Sequence, residues 1–184
     1  VMYPEEESEQ AYYVRSIHVM LLFGIIMQMN YIEMNQQFQK HKKVIVTVNQ
    51  WVTYVFYMLY PLALLYLFLN RKELLLKSIL VPGCSFVLLS FIRKKIARKR
   101  PYEVYDFKPV IEKETKANSM PSRHVFSACL IAMVYLQINT VFGCILLLLA
   151  LISAVLRVVG GVHFVSDVVI GYIAGIVCGI LLFL

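Results

Sequence analysis

The chain has 184 residues, of which 60% are hydrophobic and 16% are charged, and its mean hydropathy is +0.70. A soluble domain is nearer half apolar and about a quarter charged, so this composition excludes an ordinary soluble domain. It predicts a single membrane-embedded domain over residues 1–184. The net charge of +7 could suggest nucleic acid. Because the basic residues lie beside apolar stretches, membrane and phosphate contacts are expected instead, with no nucleic-acid partner.

Six apolar stretches approach the length needed to cross a bilayer core, which is roughly 20 helical residues for about 30 Å. The sequence therefore predicts an all-α polytopic membrane protein with six transmembrane helices; fewer, longer helices are the alternative. Residues 1–11 form an acidic stretch and are predicted to be a solvated tail. Pro61 and Pro82 fall inside spans, where neighbouring helices can satisfy the freed carbonyl groups. The predicted spans are 12–33, 44–69, 73–93, 123–138, 140–158 and 164–184.

Six antiparallel spans place four ends on one face of the membrane. These are the end of the third span, the start of the fourth, the end of the fifth and the start of the sixth. Every polar cluster with chemical potential lies at one of those four ends. The topology therefore predicts one active site at one membrane face, with 98–122 as the loop on that side.

The first cluster follows the third span and places six cations between Arg93 and Arg100, directly before Pro101. On a continuing helix, Arg93 and Arg100 are seven residues apart and share a face. Two guanidinium groups on one face suit a tetrahedral phosphate. The alternative is a basic anchor at the membrane interface.

The second cluster is Pro121-Ser122-Arg123-His124, at the start of the fourth span. A helix beginning here presents free backbone N–H groups and a positive dipole end, which attract phosphate oxygens. Ser122 can cap the helix or donate to phosphate, and His124 can supply a proton near neutral pH. Alternatively, Ser122 is only a cap and His124 an interfacial histidine.

The third cluster contains Arg157, His163 and Asp167. His163 and Asp167 are four residues apart, so on a helix the carboxylate can accept the Nδ1 proton and leave Nε2 free to attack. Ionisable side chains at membrane depth are costly and usually functional. A capping aspartate beside a structural histidine is the alternative.

Together the clusters resemble the three-part signature of the type 2 phosphatidic acid phosphatase superfamily. That family's pattern is Lys, six residues, Arg-Pro; then Pro-Ser-Gly-His; then Ser-Arg, five residues, His, three residues, Asp. This sequence departs from it at three positions, which are Arg93 for Lys, Arg123 for Gly and Leu156 for Ser. None of the three removes a catalytic group, and Arg123 still offers its backbone N–H.

The resemblance implies hydrolysis in two covalent steps. His163 attacks phosphorus, His124 protonates the leaving oxygen, and water cleaves the phosphohistidine, while Asp167 orients His163. No metal and no cofactor are expected, since protein cations neutralise the transferring group. The phosphate-binding residues implied are Arg93, Arg100, Ser122, Arg123 and Arg157.

The resemblance also implies a membrane lipid phosphate as substrate and the cell membrane as location, with no obligatory protein partner. Undecaprenyl diphosphate, phosphatidylglycerol phosphate and phosphatidic acid all fit. The family usually faces outward, which predicts an extracytoplasmic active site, whereas Lys40, Lys42 and Lys43 favour the cytoplasmic side. Two other functions stay open: a lipid phosphotransferase, and a catalytically silent lipid-binding or transport protein, suggested by the three departures.

Overall fold

The computed structural model describes residues 30–113 and 116–184. The regular secondary structure of this part of the chain is entirely helical, which confirms the predicted all-α fold there. Residues 30–39 are helical, followed by a turn at 40–41. The tail predicted at 1–11 and most of the first span lie outside the described residues. The remaining helices are α1 (Lys42–Asn70), α2 (Lys72–Ile96), α3 (Pro101–Val104), α4 (Arg123–Ile138), α5 (Thr140–Val159) and α6 (Val165–Ile180).

Predicted spans two to six each correspond to one long helix. Helices α1 and α2 run unbroken through Pro61 and Pro82. The spans predicted at 12–33 and 44–69 imply a break at 34–43. Only the turn at 40–41 interrupts the helices there, because 30–43 contains no Gly or Pro to end a helix. Among the described helices, α1, α2 and α5 are long and apolar enough to cross a membrane, whereas α4 and α6 are shorter apolar helices. The count of six spans stays a prediction.

Helix α4 lies at the centre of the bundle. Ten of its 16 residues are buried, including the run from Ala128 to Tyr135. The surrounding helices expose apolar side chains outward, among them Trp51, Leu148 and Val177. An apolar outer surface suits contact with lipid, where helices satisfy their own backbone hydrogen bonds. The helix that begins at the second motif is therefore, among the described helices, the most enclosed by its neighbours.

Three glycines bring α6 close to α4. A Cβ atom added at Gly175 would lie 2.5 Å from the Cβ atom of Cys129, and one at Gly179 would lie 2.4 Å from Met133. One at Gly171 would lie 2.8 Å from the carbonyl oxygen of Ser122. Small residues of this kind let membrane helices approach closely. The glycine row thus sets the spacing between Ser122 and the helix that carries Asp167.

Candidate active site

The first motif does not form one continuous helix. Helix α2 ends at Ile96, and Ala97 adopts a left-handed conformation with φ 46°. The expectation that Arg93 and Arg100 share a helical face is therefore wrong. The chain turns back before Arg100, whose backbone N–H donates to the Glu103 carboxylate at 2.8 Å. Both arginines are nevertheless buried.

The buried Arg93 side chain holds the loop 98–122, which we call the active-site loop, in place. Its guanidinium group donates to the carbonyl oxygens of Asn118, Ser119 and Pro121. These carbonyls belong to the segment that leads into the second motif. Each hydrogen bond of the Arg93 guanidinium group in the described structure therefore goes to the loop. That Arg93 binds phosphate stays a prediction.

Two further contacts hold the loop in place, one within the loop and one to the end of α5. The backbone N–H of Ala117 donates to the Glu103 carboxylate at 2.9 Å. The backbone N–H of Ile111 donates to the carbonyl oxygen of Gly160 at 3.1 Å. Since Gly160 directly follows α5, the loop is tied to the third motif as well as to the first.

The buried carboxylate of Asp167 accepts from three surrounding groups. Its Oδ1 atom accepts from Arg98 Nη1 at 2.9 Å, and its Oδ2 atom accepts from the Phe164 N–H at 2.9 Å and from the Ser119 hydroxyl. The Nδ1 atom of His163 lies 3.5 Å from Oδ2. His163 precedes α6, which begins at Val165, so the two side chains do not share a helix as expected. The chain turn at Phe164 brings them together instead.

His163 is 1% exposed. Burial lowers the pKa of its imidazole to about 4, although the nearby Asp167 carboxylate acts in the opposite direction. At neutral pH the ring is therefore uncharged. A neutral imidazole whose Nδ1 side faces a carboxylate and a hydroxyl keeps Nε2 as the nucleophilic nitrogen.

Three buried polar atoms in the motifs have no hydrogen-bond partner in the described structure. They are Arg100 Nε, Ser122 Oγ and Arg157 Nε. Ser122 occupies the N-cap position of α4, but its side chain makes no capping bond. Buried donors are rarely left unpaired unless a ligand or ion completes them. Their number and charge fit the oxygens of a phosphate group.

His124 and Arg123 line a cavity of about 310 Å³ at the start of α4. A second cavity of about 490 Å³ shares five lining residues with it and runs between α1, α2 and α4. Its lining is almost entirely apolar. The two cavities form one groove, which we call the tail groove, with Arg123 and His124 at one end. The shared residues are Phe56, Tyr57, Phe86, Ser127 and Ile131.

Three residues near the site were not singled out from the sequence. Arg98 and Ser119 contact Asp167 directly. The third residue, Lys113, lies near four arginines. Burial, which is the largest cause, and the charges of these arginines lower the pKa of Lys113 to about 7. Arg98 was one of six cations in a row, and nothing in the sequence distinguished it from its neighbours. The four arginines are Arg100, Arg157, Arg93 and Arg123.

Comparison with known proteins assigns the family. The PAP2 superfamily model matches residues 74–184, well over half of the chain. The chain belongs to the PAP2 superfamily. This confirms the resemblance drawn from the three motifs, all of which lie inside the matched region. Comparison with curated proteins found no match.

Two solved structures are similar along most of their length. The crystal structure of Aquifex aeolicus LpxE is 27% identical, with a TM-score of 0.65, covering 81% of this chain and 94% of that one. The first transmembrane PAP2 type phosphatidylglycerolphosphate phosphatase from Bacillus subtilis is 22% identical, with a TM-score of 0.61. That match covers 86% of this chain and 93% of the other. The fold is that of a membrane PAP2 protein.

Proposed function

We propose that this protein is a phosphatase acting on a membrane lipid phosphate through a phosphohistidine intermediate. One observation carries the proposal: His163 lies 3.5 Å from the Asp167 carboxylate, and three buried donors, one from each motif, have no partner in the described structure. The family and its membrane phosphatase members support the reaction class. A silent lipid-binding protein would have no need for this combination of nucleophile, orienting carboxylate and phosphate donors.

In the first step, His163 Nε2 forms a bond to phosphorus and the bond to the leaving oxygen breaks. His124 donates a proton to that oxygen, and the dephosphorylated lipid leaves. Arg100, Arg157 and Ser122 donate to the non-bridging oxygens, where negative charge accumulates. In the second step, water attacks phosphorus, the N–P bond breaks, and His124 accepts the proton of that water.

The groups that hold the phosphate come from the chain itself. Buried guanidinium groups can neutralise a transferring phosphoryl group as a metal ion would. Within residues 30–113 and 116–184, no three His, Cys, Asp or Glu side chains are grouped to bind a metal. We propose catalysis without a metal, which activity in the presence of EDTA would support.

The tail groove supports a lipid rather than a soluble phosphate as substrate. Its walls include Tyr60, Pro61, Pro82 and Leu130, and it begins at the residues beside His124. A phosphate seated among the motif donors would direct an attached hydrocarbon chain into this groove. Since His163 is 1% exposed, the phosphate must displace neighbouring side chains to reach Nε2. Undecaprenyl diphosphate, phosphatidylglycerol phosphate and phosphatidic acid are the substrates to compare.

The test is phosphate release from these three lipids by detergent-purified protein in EDTA. We expect release by the wild type and by His41→Ala, an exposed histidine outside the site, but none by His163→Ala. Labelled phosphate should appear on wild-type protein after acid-free quenching. Activity that survives His163→Ala would contradict the mechanism. Binding without release would favour the silent protein, and a phosphorylated acceptor in place of inorganic phosphate would indicate a phosphotransferase.

A further inference from the structure

Ser119 lies between the two residues that form the proposed nucleophilic pair. Its Oγ atom is 3.3 Å from His163 Nδ1, and its hydroxyl donates to Asp167 Oδ2. The direct separation of His163 Nδ1 from Asp167 Oδ2 is 3.5 Å, longer than the separation of Nδ1 from Ser119 Oγ. The serine hydroxyl is therefore the nearer of the two acceptors that face the imidazole, and it also contacts the carboxylate.

The Ser119 hydroxyl can hydrogen-bond to both His163 and Asp167 in only one arrangement of protons. A hydroxyl has one proton to donate and lone pairs that accept. Because an ionised carboxylate only accepts, the Ser119 proton points to Asp167. The oxygen lone pairs then face His163, so the bond between them requires a proton on Nδ1. That tautomer leaves Nε2 with a free lone pair, which is the form that attacks phosphorus.

The backbone on both sides of Ser119 is held in place. Its N–H donates to the carbonyl oxygen of Arg98 at 2.9 Å, and its carbonyl oxygen accepts from Arg93 Nη1 at 3.3 Å. The residue is completely buried. The end of α2 thus fixes the position of the hydroxyl, and Arg98 also donates to the far oxygen of the same carboxylate.

We propose that Ser119 is a positioning residue that links Asp167 to His163 and fixes the His163 tautomer. This rests on the proposed function, because it assigns Nε2 as the nucleophile. When Nε2 forms its bond to phosphorus, Nδ1 keeps its proton and the ring becomes positive. The Ser119 oxygen accepts from that Nδ1–H while its own proton stays on the bond to Asp167. No proton needs to leave the three groups during the step.

The first test is the Ser119→Ala variant, which removes one oxygen. We expect kcat for lipid phosphate to fall about 10- to 100-fold, the size of effect that a misplaced catalytic group can produce, with KM changed less than about twofold. Ser119→Cys keeps the side-chain size but replaces the hydroxyl with a weak thiol donor, and it should lose kcat similarly. Wild-type kcat in either variant would overturn the inference, since His163 and Asp167 would then pair without the hydroxyl.

A double-mutant cycle separates positioning from a structural defect. If Ser119 acts through Asp167, the Ser119→Ala, Asp167→Asn double variant should have the same kcat as Asp167→Asn, within about threefold. Independent effects that multiply would overturn the inference. The proposed function fails separately, when the wild type releases no phosphate or His163→Ala retains release.

Discussion

Arg93 and Arg100 belong to one sequence motif but make different contacts. The Arg93 guanidinium group donates to carbonyl oxygens of the loop, whereas Arg100 Nε is buried without a partner. Arg100 also donates from Nη1 to the Val162 carbonyl oxygen at 2.9 Å, directly before the proposed nucleophile. Of the two, Arg100 has the free donor for a phosphate oxygen, and Arg93 builds the loop that carries Ser119.

Lys113 predicts a pH dependence of substrate binding. Burial and the surrounding arginines lower its pKa to about 7, so the side chain is an ammonium group below pH 7 and an amine above it. The ammonium form adds a cation beside the phosphate donors. We expect KM for a lipid phosphate to rise about tenfold more between pH 6 and pH 8 in the wild type than in Lys113→Gln. The measurement is KM against pH in detergent.

Lys116→Gln is the matched control for Lys113, because it removes an exposed lysine from the same loop. Its KM should follow the wild-type pH profile. Titration of the substrate phosphate is common to all three proteins and cancels in the comparison. Identical profiles for Lys113→Gln and the wild type would show that Lys113 does not contact the bound substrate.

At the scale of the helices, the sequence predicted which helices form better than it predicted where they end. Pro121-Ser122 marked the start of α4, and the predicted span 44–69 ends next to Asn70, the last residue of α1. The end of α2 was missed because Ala97 carries no breaker signal, and its left-handed conformation depends on contacts of the following loop. The Ser119 contact was missed for the same reason, since it needs the loop closed by Glu103 and Arg93.

The close contact of α4 and α6 predicts a stability effect at Gly175. An added Cβ atom would lie 2.5 Å from the Cys129 Cβ atom, so Gly175→Ala must push the helices apart. We expect the free energy of unfolding to fall by about 1–3 kcal/mol, as in other overpacked cores. Thermal or denaturant unfolding in detergent measures the change.

Gly83→Ala in α2 provides the comparison, since nothing lies within 4 Å of a Cβ atom added there. The helical preference of Ala over Gly should leave its unfolding free energy equal or slightly higher. Equal losses in the two variants would mean that the contact of Gly175 with Cys129 is not what limits the substitution.

At the scale of the whole molecule, the helix ends define two faces. An ion pair of 2.7 Å joins Lys42, at the start of α1, to Glu112 in the active-site loop. Asn70 lies at the other end of α1, about 43 Å away for 29 residues. On the predicted topology, the two positions lie on opposite sides of the membrane. The motifs at these helix ends contact one another, as Arg93 does with Pro121 and Arg100 with Val162. That they share one face of the membrane stays a prediction.

An extracytoplasmic active site predicts the labelling of cysteines placed at these two positions. In a chain whose four native cysteines are replaced by Ala, a membrane-impermeant maleimide should label Glu112→Cys in intact cells. Asn70→Cys should be labelled only after lysis. Glu112 is exposed and its ion pair is worth little to stability, so the change is mild. The reverse pattern would place the site in the cytoplasm, as Lys40, Lys42 and Lys43 favour.

The tail groove has a consequence for how a reaction there would end. Tyr57 and Val87, which line the groove, are exposed on the apolar outer surface, while Arg123 and His124 line its other end. On the proposed function, the two products would therefore separate into different phases. The dephosphorylated lipid would diffuse sideways into the bilayer and inorganic phosphate would pass into water. Reversal would require both products to return to the site at once, so lipid product that re-enters the groove alone would compete with substrate but would not be phosphorylated.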